Sequence, residues 1–405
     1  MKHMKFLSFF LGVTFSIVAC SSNNEIIPVP DVDPDGDDGT TEVEFAKGAD
    51  IGWVTEYESK GYNFYNAKGE QRECTALMKE LGLNAIRIRV WVDPSKHGNW
   101  CNTADVVEKA KRAKELGMDV MIDFHYSDWW ADPAQQNKPA SWVGKNLANL
   151  KSAIKDHTVS VLQALKTIGV IPKWVQVGNE IRPGMLWDED VALSGASYNV
   201  TEKDLKDAPA SATDKVVYPM NWANLGAFVT TGYDAVKSVF PDAIVIVHLD
   251  NGWDSGLFTW FFDELKKNGG KWDMIGMSLY PYWSRDAKEG YSSADAVITD
   301  CISNIKALST KYNCDVMVVE TGMECADDNG KLASNSVLNE GKRQLARILK
   351  ECKENTNGRC KGVFYWEPAW IPVGKADRNS NLPIWEQYGS GWASSYAISY
   401  DPNVD

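Results

Sequence analysis

Eight short apolar runs recur along this chain, most of them closed by a polar or aromatic residue and spaced widely enough for a helix between them. They lie at 48–53, 85–91, 119–125, 174–179, 243–249, 274–280, 315–320 and 362–366. Each is apolar enough to be a strand covered on both faces. Amphipathic stretches at 103–116, 147–168, 222–240, 257–267, 294–312 and 339–354 separate many of them. Gly82, Gly117 and Gly169 stand where helices stop before the next strand. Such alternation predicts a parallel sheet with right-handed crossovers. Eight repeats predict an α/β fold, a (β/α)8 TIM barrel forming a single catalytic domain over 45–405. A doubly wound open sheet is the alternative, but no Gly-rich dinucleotide turn follows the first run.

The residues ahead of the barrel are of another kind. Lys2 and Lys5 precede an apolar run at 6–18, too short to span a bilayer. It ends in Ile17-Val18-Ala19-Cys20, which resembles a bacterial lipobox. The expectation is a signal peptide over 1–19, a lipid anchor at Cys20 and a flexible acidic tether over 20–44. The protein is then exported and membrane-anchored, at the outer membrane, the cell surface or the periplasmic face. Asp31, Asp33, Asp35, Asp37, Asp38, Glu42 and Glu44 supply about half of the formal charge of −13. No basic stripe offers phosphate neutralisation, so nucleic acid is excluded as a partner. Of the 8 cysteines, Cys352 and Cys360 flank a turn-like 355–358 and are the pair best placed to bridge.

Polar groups gather at the strand C-termini, the end of a barrel where active sites sit. Arg87 and Arg89 alternate on the second run; Asp123 and His125 close the third, and Asn179 and Glu180 the fourth. His248 and Asp250 close the fifth, Tyr280 the sixth, Glu320 the seventh, and Trp366 with Glu367 the eighth. A carboxylate ending a buried strand is costly unless it is paired or useful. Glu180 and Glu320, brought together across the axis, have the makings of a glycosidic pair: one protonates the leaving oxygen, the other stabilises the anomeric centre. In a retaining enzyme Glu320 is the ionised nucleophile, and its charge keeps Glu180 protonated as acid/base. Asn179 is placed for the sugar 2-hydroxyl, Arg89 to hold the nucleophile ionised, and Tyr280 to orient it. His125 and His248 are expected to touch sugar hydroxyls or to hydrogen-bond the residues that do. With 5 His in the chain and no His-x-His, a metal-dependent hydrolase is disfavoured. The 17 Trp lean towards carbohydrate, whose apolar ring faces stack on indoles.

Gly178-Asn179-Glu180 and Val319-Glu320-Thr321 resemble the acid/base and nucleophile signatures of the retaining (β/α)8 glycosidases. The block Phe124-His125-Tyr126-Ser127-Asp128-Trp129-Trp130-Ala131-Asp132-Pro133 is more specific and resembles glycoside hydrolase family 53, the endo-β-1,4-galactanases. Gly48-Ala49-Asp50-Ile51, His248-Leu249-Asp250-Asn251-Gly252 and Tyr365-Trp366-Glu367-Pro368 extend the likeness across the whole domain. The resemblance implies retaining, internal cleavage of β-1,4-galactan in pectic arabinogalactan, with no cofactor required for catalysis and a polysaccharide as partner of a monomer. It implies Glu180 as acid/base, Glu320 as nucleophile, and Trp130, Asp250, Trp253 and Trp366 as glycan contacts. It also raises structural Ca2+: Asp327 and Asn329, in an Asp-Asp-Asn-Gly stretch, read either as calcium ligands or as an ordinary polar turn. A mannan- or xylan-cleaving relative and a non-catalytic glycan-binding lipoprotein are the alternatives.

Overall fold

The computed structural model describes residues 44–369, apart from 67, 69, 134, 188–221, 283, 285–292 and 324–333. Eight strands close into a parallel barrel: β1 (Ala46–Asp50), β2 (Ala85–Val90), β3 (Asp119–Phe124), β4 (Trp174–Val177), β5 (Ile244–Leu249), β6 (Met274–Leu279), β7 (Asp315–Thr321) and β8 (Cys360–Trp366). Neighbours follow chain order, and β8 pairs with β1 to complete the ring. The open-sheet alternative is thereby ruled out.

Outside the barrel run α1 (Val54–Ser59), α2 (Cys74–Glu80), α3 (Thr103–Glu115), α4 (Leu147–Thr167), α5 (Trp222–Val239), α6 (Ser255–Lys267), α7 (Ala294–Tyr312) and α8 (Asn335–Glu354). The last six match the amphipathic stretches. α1, α2 and a small antiparallel ribbon (Phe64–Tyr65 with Gln71–Arg72) are additions. Elements this short span too few residues for a period to appear. Local chemistry sets the helix starts. Asn102, Asn146 and Asp254 each accept a backbone N–H at 3.0 Å from the third residue on. Ser334 does the same for Val337, which starts α8 earlier than its periodic stripe at 339.

The strand ends also differ from the apolar runs. β1 stops at Asp50 because its Oδ1 accepts the Gly52 N–H at 3.0 Å and turns the chain towards α1. β4 stops at Val177 because Gly178 and Glu180 take positive φ, 81° and 48°. A non-glycine residue held there is strained, and strain of this kind gathers at functional sites.

Inside the ring, Met121, Trp174, Ile246, Met274, Met317, Val319 and Phe364 form an apolar plug. Two residues further along β3, β4 and β5, on the same inward face, stand Asp123, Gln176 and His248. β7 breaks this alternation. Met277 pairs with Val318 but Ser278 pairs with Glu320, so Val319 is one residue extra on β7. Met317 and Val319 both face the plug, and strict alternation would aim Glu320 outward. The bulge turns it inward.

The 6 described cysteines are all free thiols, so the expected Cys352–Cys360 bridge is corrected. Cys360 points its S–H at the Gly362 carbonyl at 3.6 Å. Cys352 and Cys360 are both buried and pack as small apolar groups between the end of α8 and the start of β8.

The plug leaves no room at Gly48, where a Cβ would overlap the ring of the buried Phe364. Gly48→Ala is expected to destabilise the barrel by roughly 1–3 kcal/mol in urea unfolding, and Phe364→Leu in the same chain to recover part of that loss. An unchanged midpoint for the single variant would contradict this packing.

Candidate active site

The C-terminal strand ends surround a cleft of about 620 Å³ that both Glu180 and Glu320 line. Glu180 follows β4 on its strained turn and is half-buried; Glu320 stands next to last on β7, beyond the bulge, and is buried. Ser278 lies between them: its Cα pairs with that of Glu320, and its hydroxyl donates to Glu180 Oε1 at 2.6 Å.

Their surroundings differ in charge. Arg87, reaching up from β2, places Nη1 2.8 Å from Glu320 Oε1. The same guanidinium meets Asp50 at 3.0 Å and Asp123 at 2.8 Å, and donates to Asn179 Oδ1 at 2.8 Å. Tyr280 donates its hydroxyl to Glu320 Oε2 at 3.1 Å. Glu180 receives only the neutral Ser278 hydroxyl among the described hydrogen bonds. Burial pushes Glu320 above the ordinary carboxylate range, and Arg87 and the Tyr280 hydrogen bond oppose that rise. Burial pushes Glu180 much further up, helped by the charges of Glu320 and Asp250. Glu320 therefore ionises first, and Glu180 keeps its proton. Burial would also discharge Arg87, but Asp123, Glu320 and Asp50 outweigh it and hold the cation.

The arginine facing Glu320 is thus Arg87, and the expectation for Arg89 is corrected. Two residues on, along the same face, Arg89 pairs with Glu367 and with Asp50. Its guanidinium packs against the indoles of both Trp53 and Trp130, 4.6 and 4.5 Å from their centroids. Arg89 builds the aromatic wall of the cleft. Glu367, in the αL region just past β8, is pushed up to about 8 by burial, against the pull of Arg89.

The other sequence-derived residues divide into those on the cleft and those behind it. Trp130, Asn179, Asp250, Tyr280, Trp366 and His125 line the cleft. Asn179 gives its Oδ1 to Arg87 and one Nδ2 hydrogen to Ala131 O at 2.7 Å, leaving its second hydrogen for a ligand. Asp250 is gripped by Arg182 through two bonds of 2.8 Å. Asp123 and His248 are fully buried and take no place on the cleft. Asp123, expected among the substrate-binding residues, is corrected to a support that holds Arg87, Gln176 and His125; His248 takes the supporting one of its two expected roles, behind Ser278. Trp253 is likewise corrected, being buried in the core between barrel and helices. His125 keeps a fixed tautomer. Trp91 Nε1 and the Ala131 N–H both donate to its Nδ1, so Nε2 donates to Asp123 at 3.0 Å. Sequence reasoning missed Trp53, Asp132, Gln176, Ser278 and Arg182. Ser278 and Gln176 were open to the inward parity of their strands, but parity marks only the face. Among the described residues no cluster of His, Cys, Asp and Glu suits a metal ion. Cys20, the tether, and the Asp327 and Asn329 reading lie outside the described residues.

The chain has known relatives. The model of glycosyl hydrolase family 53 matches residues 46–401. The chain belongs to that family. It is 32% identical over 377 residues to an endo-β-1,4-galactanase of Bacillus subtilis (strain 168), covering 89% of this chain and 78% of that one. It is 31% identical over 348 residues to an arabinogalactan endo-β-1,4-galactanase of Thermothelomyces thermophilus, covering 83% and 91%. Among solved structures it is similar to a fungal β-1,4-galactanase, with TM-score 0.68, 28% identity and coverage of 87% and 98%. It also resembles the GH53 catalytic domain of Ignisphaera aggregans, with TM-score 0.70, 25% identity and coverage of 91% and 98%.

The charge asymmetry has a direct readout. Carboxyl 13C titration of glutamate-labelled protein is expected to show Glu180 ionising at higher pH than Glu320. Glu320→Gln removes one of the charges that raise Glu180, so the Glu180 midpoint falls in that variant. A midpoint that stays or rises would sink the coupling.

Proposed function

We infer that this chain is a retaining, endo-acting β-1,4-galactanase working by double displacement on galactan and arabinogalactan side chains. The observation that carries the reading is the unequal pair: two glutamates on one cleft, of which only Glu320 is held by a guanidinium. Family membership and the galactanase relatives support the substrate.

The geometry supports a plain sequence of steps. Glu320 Oε2, with Tyr280 on it and Arg87 on its other oxygen, attacks the anomeric carbon. Glu180 gives its proton to the departing oxygen, and a glycosyl ester forms on Glu320. The ester is neutral, so the charge that raised Glu180 is gone. Glu180, now ionised, takes a proton from water as that water attacks the anomeric carbon; the ester breaks and Glu320 leaves as carboxylate. The free Asn179 Nδ2 hydrogen is placed for the 2-hydroxyl, a contact that tightens in the transition state. Trp130 and Trp366, with ring centroids 6.1 Å apart, offer aromatic faces to the chain of sugars. Catalysis needs no cofactor.

Digestion of linear β-1,4-galactan beside mannan and xylan, with product sizing, tests the substrate. The expected outcome is internal cleavage of galactan, with β-anomers formed first by NMR. Glu320→Gln is expected to abolish turnover. Glu180→Gln is expected to lose roughly 10²–10⁴-fold on galactan and less on an aryl galactoside whose leaving group needs no proton. Preference for mannan or xylan would favour the sibling reading. Binding without cleavage by the wild-type chain would favour the glycan-binding one.

The finer expectations stay proposals. Lys2, Lys5, the apolar 6–18 and Ala19-Cys20 support export and a lipid anchor at Cys20. Cys20→Ala is expected to move the enzyme from the membrane fraction to the soluble one, with loss of labelled palmitate. One chain carries every group of the site, which supports action as a monomer. The oxygen-rich spacing around Asp327 and Asn329 supports a structural Ca2+ loop outside the chemistry.

A further inference from the structure

The Ser278 hydroxyl is buried, and two groups compete for it. Its Oγ lies 2.6 Å from Glu180 Oε1 and 2.8 Å from His248 Nε2. Which way its hydrogen points depends on the histidine, and the polar layer behind it decides that. Gln176 places its Nε2 2.6 Å from Asp123 Oδ1 and its Oε1 3.2 Å from Arg87 Nη2, so the amide has one orientation. That Nε2 lies 3.0 Å from His248 Nδ1, and the Glu180 backbone N–H donates to the same nitrogen at 3.4 Å. Asn179 Oδ1, 3.1 Å away, already accepts from Arg87. The Glu180 backbone N–H has a fixed direction and faces Nδ1, so Nδ1 accepts and the ring hydrogen sits on Nε2. Ser278 Oγ then accepts from His248 and has one place left for its own hydrogen: Glu180 Oε1.

We propose that Ser278 and His248 are positioning residues for the acid/base, locking Glu180 Oε1 as an acceptor so that the acid proton is carried on Oε2. This rests on the reading of Glu180 as the acid. The opposite orientation would bury the proton against Ser278, where no leaving group reaches it. His248 holds the arrangement without titrating, since burial and then the nearby Arg87 push it well below the ordinary histidine range. The hydroxyl also favours ionised Glu180, opposing the burial and the Glu320 charge that favour the neutral form. Glu320 from β7, Asp250 beyond β5 and Asp132 beyond β3 face Glu180 with their charges, and the Tyr280 phenol lies nearby. All four remain in a Ser278 variant, so a shift there reports the hydroxyl.

The test uses the full chain as wild type, Ser278→Ala, Ser278→Thr and His248→Gln, on linear β-1,4-galactan and on an aryl β-galacto-oligoside with an acidic phenol. Ser278→Ala is expected to lower kcat on galactan roughly 10- to 100-fold, with KM little changed. The basic limb of kcat/KM is expected to move to higher pH, because a donor to the ionised form is lost. The loss should shrink on the aryl substrate, whose phenol leaves without a proton. Ser278→Thr, which keeps the hydroxyl, and His248→Gln, which keeps an N–H donor near Nε2, are expected to restore the limb. A basic limb unmoved in Ser278→Ala, with equal losses on both substrates, would falsify the proposal and leave a structural role. A wild type that leaves galactan uncut overturns the substrate reading instead. The Glu180 carboxyl titration by 13C NMR then decides the positioning without turnover: it must rise in Ser278→Ala.

Discussion

The buried Arg87 guanidinium is the interaction on which the mouth of the barrel depends. It meets Asp50, Asp123 and Glu320, three carboxylates on three other strands. Without it, three acids and an amide oxygen would crowd one largely buried space with no cation among them, and their charged forms would be costly. Removing one partner of such a buried pair costs about 3–5 kcal/mol, because the charges left behind have no replacement. Its catalytic consequence is selective. The cation reaches Glu320 and not Glu180, so the same burial that raises both carboxyls leaves only one of them free to ionise early.

Arg89 meets different chemistry although it is two residues away on the same face. Glu367 and Asp50 hold its Nη1, and Trp53, Trp91 and Trp130 surround the rest of the guanidinium. A cation stacked on indoles out of water contributes about 0.5–2 kcal/mol per ring and fixes the plane of each. Asp50 joins the two systems, since each of its oxygens faces one arginine. The side of the cleft that runs the chemistry and the side that offers aromatic faces are thus braced by one carboxylate at the end of β1.

This explains what was legible in the sequence. Eight strands could be counted because strands covered on both faces read as unbroken apolar runs. The two glutamates stood out because each ends such a run. The step from Arg87 to Arg89 was not legible: side-chain alternation gives both the same face, and only the height on the barrel decides which one meets Glu320. Asp123 was misplaced for the same reason, and the two readings of His248 stayed open, as parity says inward but not above or below the cleft floor. Glu320 is the sharper case. Alternation from Met317 and Val319 points it away from the cleft, and a one-residue bulge against β6 reverses that. Nothing in Val316-Met317-Val318-Val319 announces the bulge, because it arises from pairing with Met277 and Ser278 on a distant stretch of chain.

The bulge and the strained turn act together on the pair. One re-aims Glu320 at the end of β7, and the other holds Glu180 in the αL region just past β4, with Ser278 of β6 within reach of both. The forces on Glu180 then oppose each other in a useful order. In the free enzyme the Glu320 charge favours the protonated acid. When Glu320 is esterified, as in the proposed double displacement, that charge vanishes, while the Ser278 hydroxyl, which favours the ionised form, remains. Burial and Asp250 remain as well, so Glu180 stays a stronger base than an exposed carboxylate when water must be activated. In the proposed mechanism a rigid set of side chains therefore produces an acid in the first step and a base in the second. The switch is the covalent neutralisation of one carboxylate, and no movement of the barrel is needed.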